Sequence, residues 1–446
     1  MSAPPRSSPA RQPALREHNL ALVLGEIVAS GPASRARVAA STGLTKATVS
    51  TLVDTLVAGG LLRESGPHPA GGVGRPGTDL VLAPGPVGIG LEINVDYVAV
   101  CTVDLAGMVC RHDLVARDLR SLGVRGALDC AADVLRAAVR AAGDAARVVG
   151  ASPAEAVTGI CVAVPGLVDG RRGLLRLAPN LAWRDVPVLD ELRRRLVPAV
   201  DVPVVDVPVV DVPVDHPGRM PMRLDNEANL AALGELWAGG HTRPDGTPLR
   251  SFLHVSGEIG VGAAVVLDGG LFVGLRGFGG EIGHLPLDPS GRSCPCGASG
   301  CLEQYAGQEA ILRRAGLDRP PRTSAGRPDG PIEELVRRAG EGDPAVLDAV
   351  TEAGHALGVA ISVAVNLVDV DTVLLDGIYA RLARWMREPV EAELAARVLS
   401  AAWDPVRVVV GALGSDAAVR GAATRAVRSV IEDPAAWLGR VRPLTP

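Results

Sequence analysis

At 446 residues, with 47% hydrophobic and 21% charged side chains, the chain is too long for a single hydrophobic core and divides into two or three domains of ordinary globular composition. No run of about 18 uncharged apolar residues is available to span a bilayer, and Met1–Pro13 lacks the apolar stretch of a secretory signal; a cytoplasmic protein with no membrane partner is expected. The net charge of −5 is uneven, since residues 1–82 hold eight Lys/Arg against five Asp/Glu while the rest is acidic. A polyanionic partner therefore suits the N-terminal segment alone.

Residues 1–14, rich in Pro, Ser and Arg, read as a disordered tail. From 15 to 82 the pattern predicts three helices and a β-hairpin, a small domain by itself. Leu20, Leu24, Ile27 and Val28 recur at helical spacing up to the stop at Ser30-Gly31-Pro32, and Ser34 can cap a second helix carrying Val38, Ala39 and Ala40. After the turn Thr42-Gly43-Leu44, Thr45 can cap a third helix that points Val49, Leu52, Val53 and Leu56 inward. Leu61–Glu64 and Thr78–Leu82 pair as strands around the glycine-rich tip 71–77, which reads as a wing. A helix, a tight turn and a second helix rich in small hydroxylated side chains can set that second helix in the DNA major groove. Thr45, Lys46, Thr48 and Ser50 are the candidate contacts to phosphates and base edges, and Arg75 is the candidate for a narrow minor groove. The same helices could instead form an interaction or dimerisation module.

Residues 83–86, Ala-Pro-Gly-Pro, form a linker, and 87–446 alternates strand-like and helical stretches in two α/β halves, the second starting at Ser251. Gly88–Leu105 and Met108–Val115 predict a strand hairpin, Arg125–Arg147 a helix, Val157–Val164 a strand and Asn226–Gly239 a helix. In the second half, helices are expected over Gly354–Leu367 and Ala380–Leu399, and strands over Thr372–Leu375 and Val406–Val410. A five-residue repeat beginning Asp201-Val202-Pro203-Val204-Val205 occupies 201–217, where its prolines forbid a central strand. It predicts an extended exposed loop of polyproline character, with ligand binding as the lesser alternative.

Of seven cysteines, Cys294, Cys296 and Cys301 crowd into eight residues shortly after His284. Three thiolates and one imidazole suit tetrahedral Zn2+ with every position filled, which makes the site structural; reduced cysteines on a loop are the alternative. The stretch Gly280-Glu281-Ile282-Gly283-His284 precedes this cluster. Further upstream stand Val164-Pro165-Gly166-Leu167-Val168-Asp169, Pro179-Asn180-Leu181-Ala182-Trp183 and Asp225-Asn226-Glu227-Ala228-Asn229.

Together these motifs resemble the ROK family, a group of repressors and sugar kinases, from about Leu15 to Leu438. The resemblance implies a winged helix-turn-helix followed by a two-lobed, actin-like α/β fold with a sugar in the interlobe cleft. It also implies that Asn180, Asn226, Glu227, Glu281, His284 and Glu303 meet the sugar, His284 giving one ring nitrogen to zinc and the other to the ligand. Converging carboxylates and amides are the physical means of recognising hydroxyls. A solvated surface charge is the lesser alternative for each carboxylate, and for Trp183 an ordinary core role is favoured over packing near the cleft.

A kinase of this family needs an aspartate as general base where this chain has Glu227, and a carboxylate displaced by one methylene loses its reach. The glycine-rich phosphate loop expected after the first strand is replaced by Leu91-Glu92-Ile93-Asn94-Val95-Asp96. Glu258 lies in the second phosphate loop, and Asp376-Gly377 stands where a glycine pair is expected. The resemblance then implies a non-enzymatic, sugar-responsive repressor of carbohydrate genes, binding double-stranded operator DNA as a homodimer or dimer of dimers. An ATP-dependent sugar kinase is the alternative.

Overall fold

The structure, a computed structural model, describes residues 12–67, 78–148, 156–196, 220–317 and 330–441. Arg75 and the 201–217 repeat lie outside these residues. The N-terminal region runs α1 (Gln12–Ser30), β1 (Ala33–Ser34), α2 (Arg35–Thr42), α3 (Lys46–Ala58), β2 (Leu62–Pro67) and β3 (Thr78–Leu82). The first helix thus begins at Gln12, inside the stretch expected to be a tail. Ser34 accepts the Arg37 amide at 3.3 Å and Thr45 the Thr48 amide at 3.2 Å, so each cap satisfies a donor that its helix start leaves unpaired. The hairpin forms a three-stranded sheet in the order β1-β3-β2, and Leu24, Ile27, Val38, Val49, Val53, Leu56 and Leu80 bury the inward face of the domain.

The first lobe follows with β4 (Val87–Ile93), β5 (Tyr97–Asp104), β6 (Val109–Ala116), α4 (Leu119–Val148) and β7 (Val157–Val164). It continues through β8 (Leu167–Asp169), β9 (Leu174–Ala178), β10 (Trp183–Val186), α5 (Val188–Leu196), β11 (Met222–Asn226) and α6 (Glu227–Ala238). Its main sheet is ordered β11-β7-β4-β5-β6, with β7 parallel to both β4 and β11. The stretch expected as Gly88–Leu105 is itself two strands, β4 and β5, so the hairpin has a third member in β6. Trp183 is 2% exposed within this lobe's core, the ordinary role considered for it.

The second lobe comprises β12 (Phe252–Gly257), β13 (Val261–Leu267), β14 (Gly270–Phe272), α7 (Glu303–Ala306), α8 (Gln308–Arg314), α9 (Gly330–Gly340) and α10 (Pro344–Val368). After these come β15 (Thr372–Gly377), α11 (Ile378–Arg397) and β16 (Arg407–Val410), and its sheet is ordered β14-β13-β12-β15-β16. Helix α10 starts ten residues earlier than its apolar stretch predicts, because Asp343 accepts the Ala345 amide and Pro344 occupies the first turn. It is the one described helix long and apolar enough to cross a bilayer. Here it is a core element, with Val346, Val350, Leu357 and Ile361 fully buried.

Two final helices, α12 (Ala417–Glu432) and α13 (Pro434–Val441), return to the first lobe and reach the winged region. Their approach requires glycine: a Cβ on Gly90 would lie 2.1 Å from the Val419 carbonyl, and one on Gly421 would lie 1.8 Å from that of Leu230. Val427, Val430, Ile431 and Trp437 join the apolar cluster of α1–α3, and the Trp437 indole N–H donates to the Gly59 carbonyl at 3.1 Å. The winged region is therefore not a core by itself. Its last wall comes from the C-terminus of the chain.

Candidate functional site

The cysteine cluster is built by two narrow turns. Cys294 donates its amide to the Ala298 carbonyl at 2.8 Å and receives the Gly297 amide at 3.0 Å on its own carbonyl, while Cys301 pairs with Pro286 and leads directly into α7. These turns bring His284, Cys294, Cys296 and Cys301 together, their ligand atoms all within 4.8 Å of one another. His284 Nδ1 lies 3.8 Å from Cys294 Sγ, and the sulfurs of Cys296 and Cys301 are 3.8 Å apart. Burial, aided by the neighbouring sulfurs, pushes the Cys301 thiol up to about 12. Three crowded thiols are poor thiolates unless a cation sits among them, so the donor set fits a metal ion.

The cluster forms one wall of a cleft between the lobes, lined by Asn180, Asn226, Glu227, Glu281, His284 and Glu303 among others. All six residues expected to meet a sugar are thus brought to one cavity. With Nδ1 turned to the sulfurs, Nε2 of His284 is the ring nitrogen left for the cleft. Glu303, at the start of α7, accepts from the Cys294 thiol at 3.9 Å and from the Asn180 side chain. The fit is tight: a Cβ on Gly260 would stand 2.2 Å from Glu303 Oε2 and 3.0 Å from Asn180 Nδ2. Burial, the largest influence, holds the Glu303 carboxyl above its usual range.

Asn226 has a second duty. Its Oδ1 accepts the amides of Ala228 and Asn229 at 2.8 and 3.2 Å, capping α6, and its Nδ2 donates to the Gly166 carbonyl at 3.0 Å. One amide hydrogen remains for a ligand. Glu227 follows as the first residue of α6, and its Oε2 is buried without a hydrogen-bond partner. Burial raises its carboxyl well above the usual value, and Glu281, Glu92 and Glu258 add to the effect through space.

The far end of the cleft holds residues that the sequence argument treated only as a damaged phosphate loop. Glu92, at 2% exposure, accepts from the Tyr97 hydroxyl at 2.7 Å and from the Asn94 amide at 3.3 Å. Asp376 accepts from the Gly377 amide at 2.8 Å and pairs with buried His254 at 3.0 Å. Glu92, Asn94, Glu258 and Asp376 all line the cavity, as do Gly414 in the turn before α12 and Ala417 and Ala418 at its start. They could have been found from their positions at the ends of β4, β12 and β15, which converge on one edge of the two sheets.

In the winged region, Thr45 and Lys46 are exposed, and Thr48 and Ser50 are half-buried on the same helix. The Thr45 and Thr48 hydroxyls are 2.9 Å apart, and Arg35 pairs with Asp54 and Glu64, fastening α2 to α3 and β2. The exposed surface of α3 is free of large apolar side chains. Arg75 lies outside the described residues.

Comparison with known proteins places these features together. The ROK family profile matches residues 129–428, and the MarR family profile matches residues 21–71. The xylose repressor of Bacillus subtilis (strain 168) is 26% identical over 412 residues, covering 92% of this chain and 95% of that protein. A solved ROK family transcriptional regulator, a homolog of the E. coli MLC protein, superposes with a TM-score of 0.71 at 22% identity over 96% of this chain and 99% of that one. The ROK family glucokinase from Streptomyces griseus, in complex with glucose and AMPPNP, has a TM-score of 0.57 at 24% identity and covers 77% of this chain and 99% of its own. At these identities the two structures share the fold with this chain.

Proposed function

The chain belongs to the ROK family, and from that premise we propose that it is a sugar-responsive transcriptional repressor that binds operator DNA and catalyses no phosphoryl transfer. The observation that carries this reading is the joining of a winged helix-turn-helix to a cleft whose described lining includes Glu92, Glu258 and Asp376 and no lysine or arginine, which disfavours the phosphates of ATP. Full-length similarity to a protein named xylose repressor supports it, because that match includes the N-terminal region.

In this reading Thr45, Lys46, Thr48 and Ser50 contact the major groove and phosphates, and Arg75 serves the wing. Asn180, Asn226, Glu227, Glu281, His284 and Glu303 receive a sugar or sugar derivative. Zn2+ held by His284, Cys294, Cys296 and Cys301 braces the sugar end of the cleft; when bound, it supplies the positive charge that keeps three thiolates in place and sets the His284 ring.

Helix α12 gives the cleft a mechanical route to the DNA-binding region. Ala417 and Ala418 line the cavity, Val419 and Ala423 pack on β5, Ala422 and Ala426 pack on α6 and β7, and Val427, Val430 and Ile431 enter the winged core. Sixteen helical residues span about 24 Å as one rigid element. A sugar that favours one lobe arrangement displaces this helix, and with it the spacing of two winged regions in a homodimer or dimer of dimers on an inverted repeat. Release of DNA is the expected sense. The test is a binding titration against the chain's own upstream promoter DNA with a panel of sugars that includes xylose; phosphate transfer from ATP to a sugar would establish the kinase reading instead.

A further inference from the structure

Six carboxylates line the cleft, those of Glu92, Glu227, Glu258, Glu281, Glu303 and Asp376, and among the described residues no lysine or arginine does. Burial opposes the ionisation of several of these groups, Glu227 and Glu92 among them, and a cation arriving in the cleft is what would restore their charge. Two oxygens show that the network is incomplete. Glu227 Oε2 and Glu92 Oε2 are buried without hydrogen-bond partners, and a buried acceptor left unpaired costs about 1–3 kcal/mol. Glu92 is itself 2% exposed and lines the cleft.

Glu227 shares the cleft lining with the other five acidic groups. It stands at the start of α6, and the carboxylates of Glu281, Glu92 and Glu258 act on it from three other elements. A bare metal ion does not answer this arrangement. Among the described residues, His284 and its three cysteines are the one set whose ligand atoms converge closely enough to hold an ion. Oxygens set farther apart call for a group with several hydrogens to donate and a positive charge of its own. A primary ammonium has three N–H donors and no acceptor.

We propose that the cleft is cation-selective, and that its ligand carries an ammonium group, as an amino sugar does, seated beside Glu227 with Glu92 and Glu258 facing it. The inference rests on the cleft being the sugar site and specifies the class of sugar. It also states what the cleft rejects: phosphorylated and carboxylated sugars meet a lining of acidic groups with no lysine or arginine among its described residues.

The test compares matched ligands on the full-length protein by calorimetry: glucosamine with glucose, galactosamine with galactose, mannosamine with mannose, and glucose 6-phosphate. In the pair whose stereochemistry fits, the amino sugar should bind at least about tenfold more tightly than its parent, and the phosphate ester should bind most weakly. Glu227→Gln should remove the preference. Glu258→Gln, at the cleft surface and away from the α6 cap, should reduce it several-fold and serves if the first variant does not fold. Equal affinities within every pair, or tightest binding of the phosphate ester, overturn the inference and leave the sugar site standing. If no sugar binds at all, the sugar reading falls, and the Tris cation set against neutral pentaerythritol decides this point alone. Greater thermal stabilisation by Tris supports cation selectivity, and equal stabilisation rejects it.

Discussion

Glu92 and the cysteine cluster show how single side chains set the behaviour of the cleft. The Glu92 carboxyl is pushed from 4.5 up to about 7, chiefly by burial, against the opposing pull of its Tyr97 and Asn94 hydrogen bonds. Between those two values the unfolded chain loses this proton while the folded chain keeps it. Stability contributed by the protonated form is therefore whole below about pH 4.5, falls as pH rises to about 7, and levels off above, a change on the order of 3 kcal/mol. Thermal unfolding from pH 5 to 8 should show that fall in the native chain and a flatter profile in Glu92→Gln; identical profiles would contradict the assignment. Cys296→Ser should release zinc and lower both the melting temperature and sugar affinity, since one lost ligand leaves two buried thiolates without their cation. Metal content measured on the purified variant checks this, and unchanged zinc would reject the site. The convergence of these four side chains was legible in the sequence because Cys-x-Cys beside a third cysteine and a histidine has few other uses. The partnerless oxygen of Glu92 was not, since it depends on what β5 and α12 place around it.

Among the elements, α12 matters most to the account and was the least legible. Its residues are mainly Ala, Val and Arg, and the reason for the small ones is visible only across the interface. Gly90 on β4 and Gly421 on α12 admit a separation that any side chain would forbid. The winged helices were legible for the opposite reason: Ser34 and Thr45 are caps that act within a few residues of themselves. What the sequence argument lacked there was the far partner. Trp437 is 3% exposed and fills a place between α1, α3 and α12. Trp437→Ala should cost about 3–5 kcal/mol of packing in the winged region. Operator affinity should drop sharply while sugar affinity, read by calorimetry, stays near native. Parallel loss of both would show that α13 supports the whole chain and not the DNA-binding end.

At the scale of the whole molecule, three cores are linked in series: the second lobe with its cysteine cluster, the first lobe, and a winged region closed by the C-terminal helices. The cleft lies where the first two meet, and α12 runs from that cleft to the third. Reciprocity follows from this arrangement. If a sugar lowers operator affinity by some factor, operator DNA must lower sugar affinity by the same factor. The two-lobed fold and the shared cleft were legible through the family resemblance that five short motifs carry. The joining of the winged region to α12 and α13 was not, because no local pattern reports a contact between residues 378 apart in sequence, such as Gly59 and Trp437. The most direct test of the central claim is a titration of the full-length protein against its own promoter DNA, with and without sugars and in the absence of ATP. Sequence-specific binding that one sugar weakens at least about tenfold is the expected result. Specific binding that no sugar alters, or no specific binding together with sugar phosphorylation once ATP is added, would contradict it.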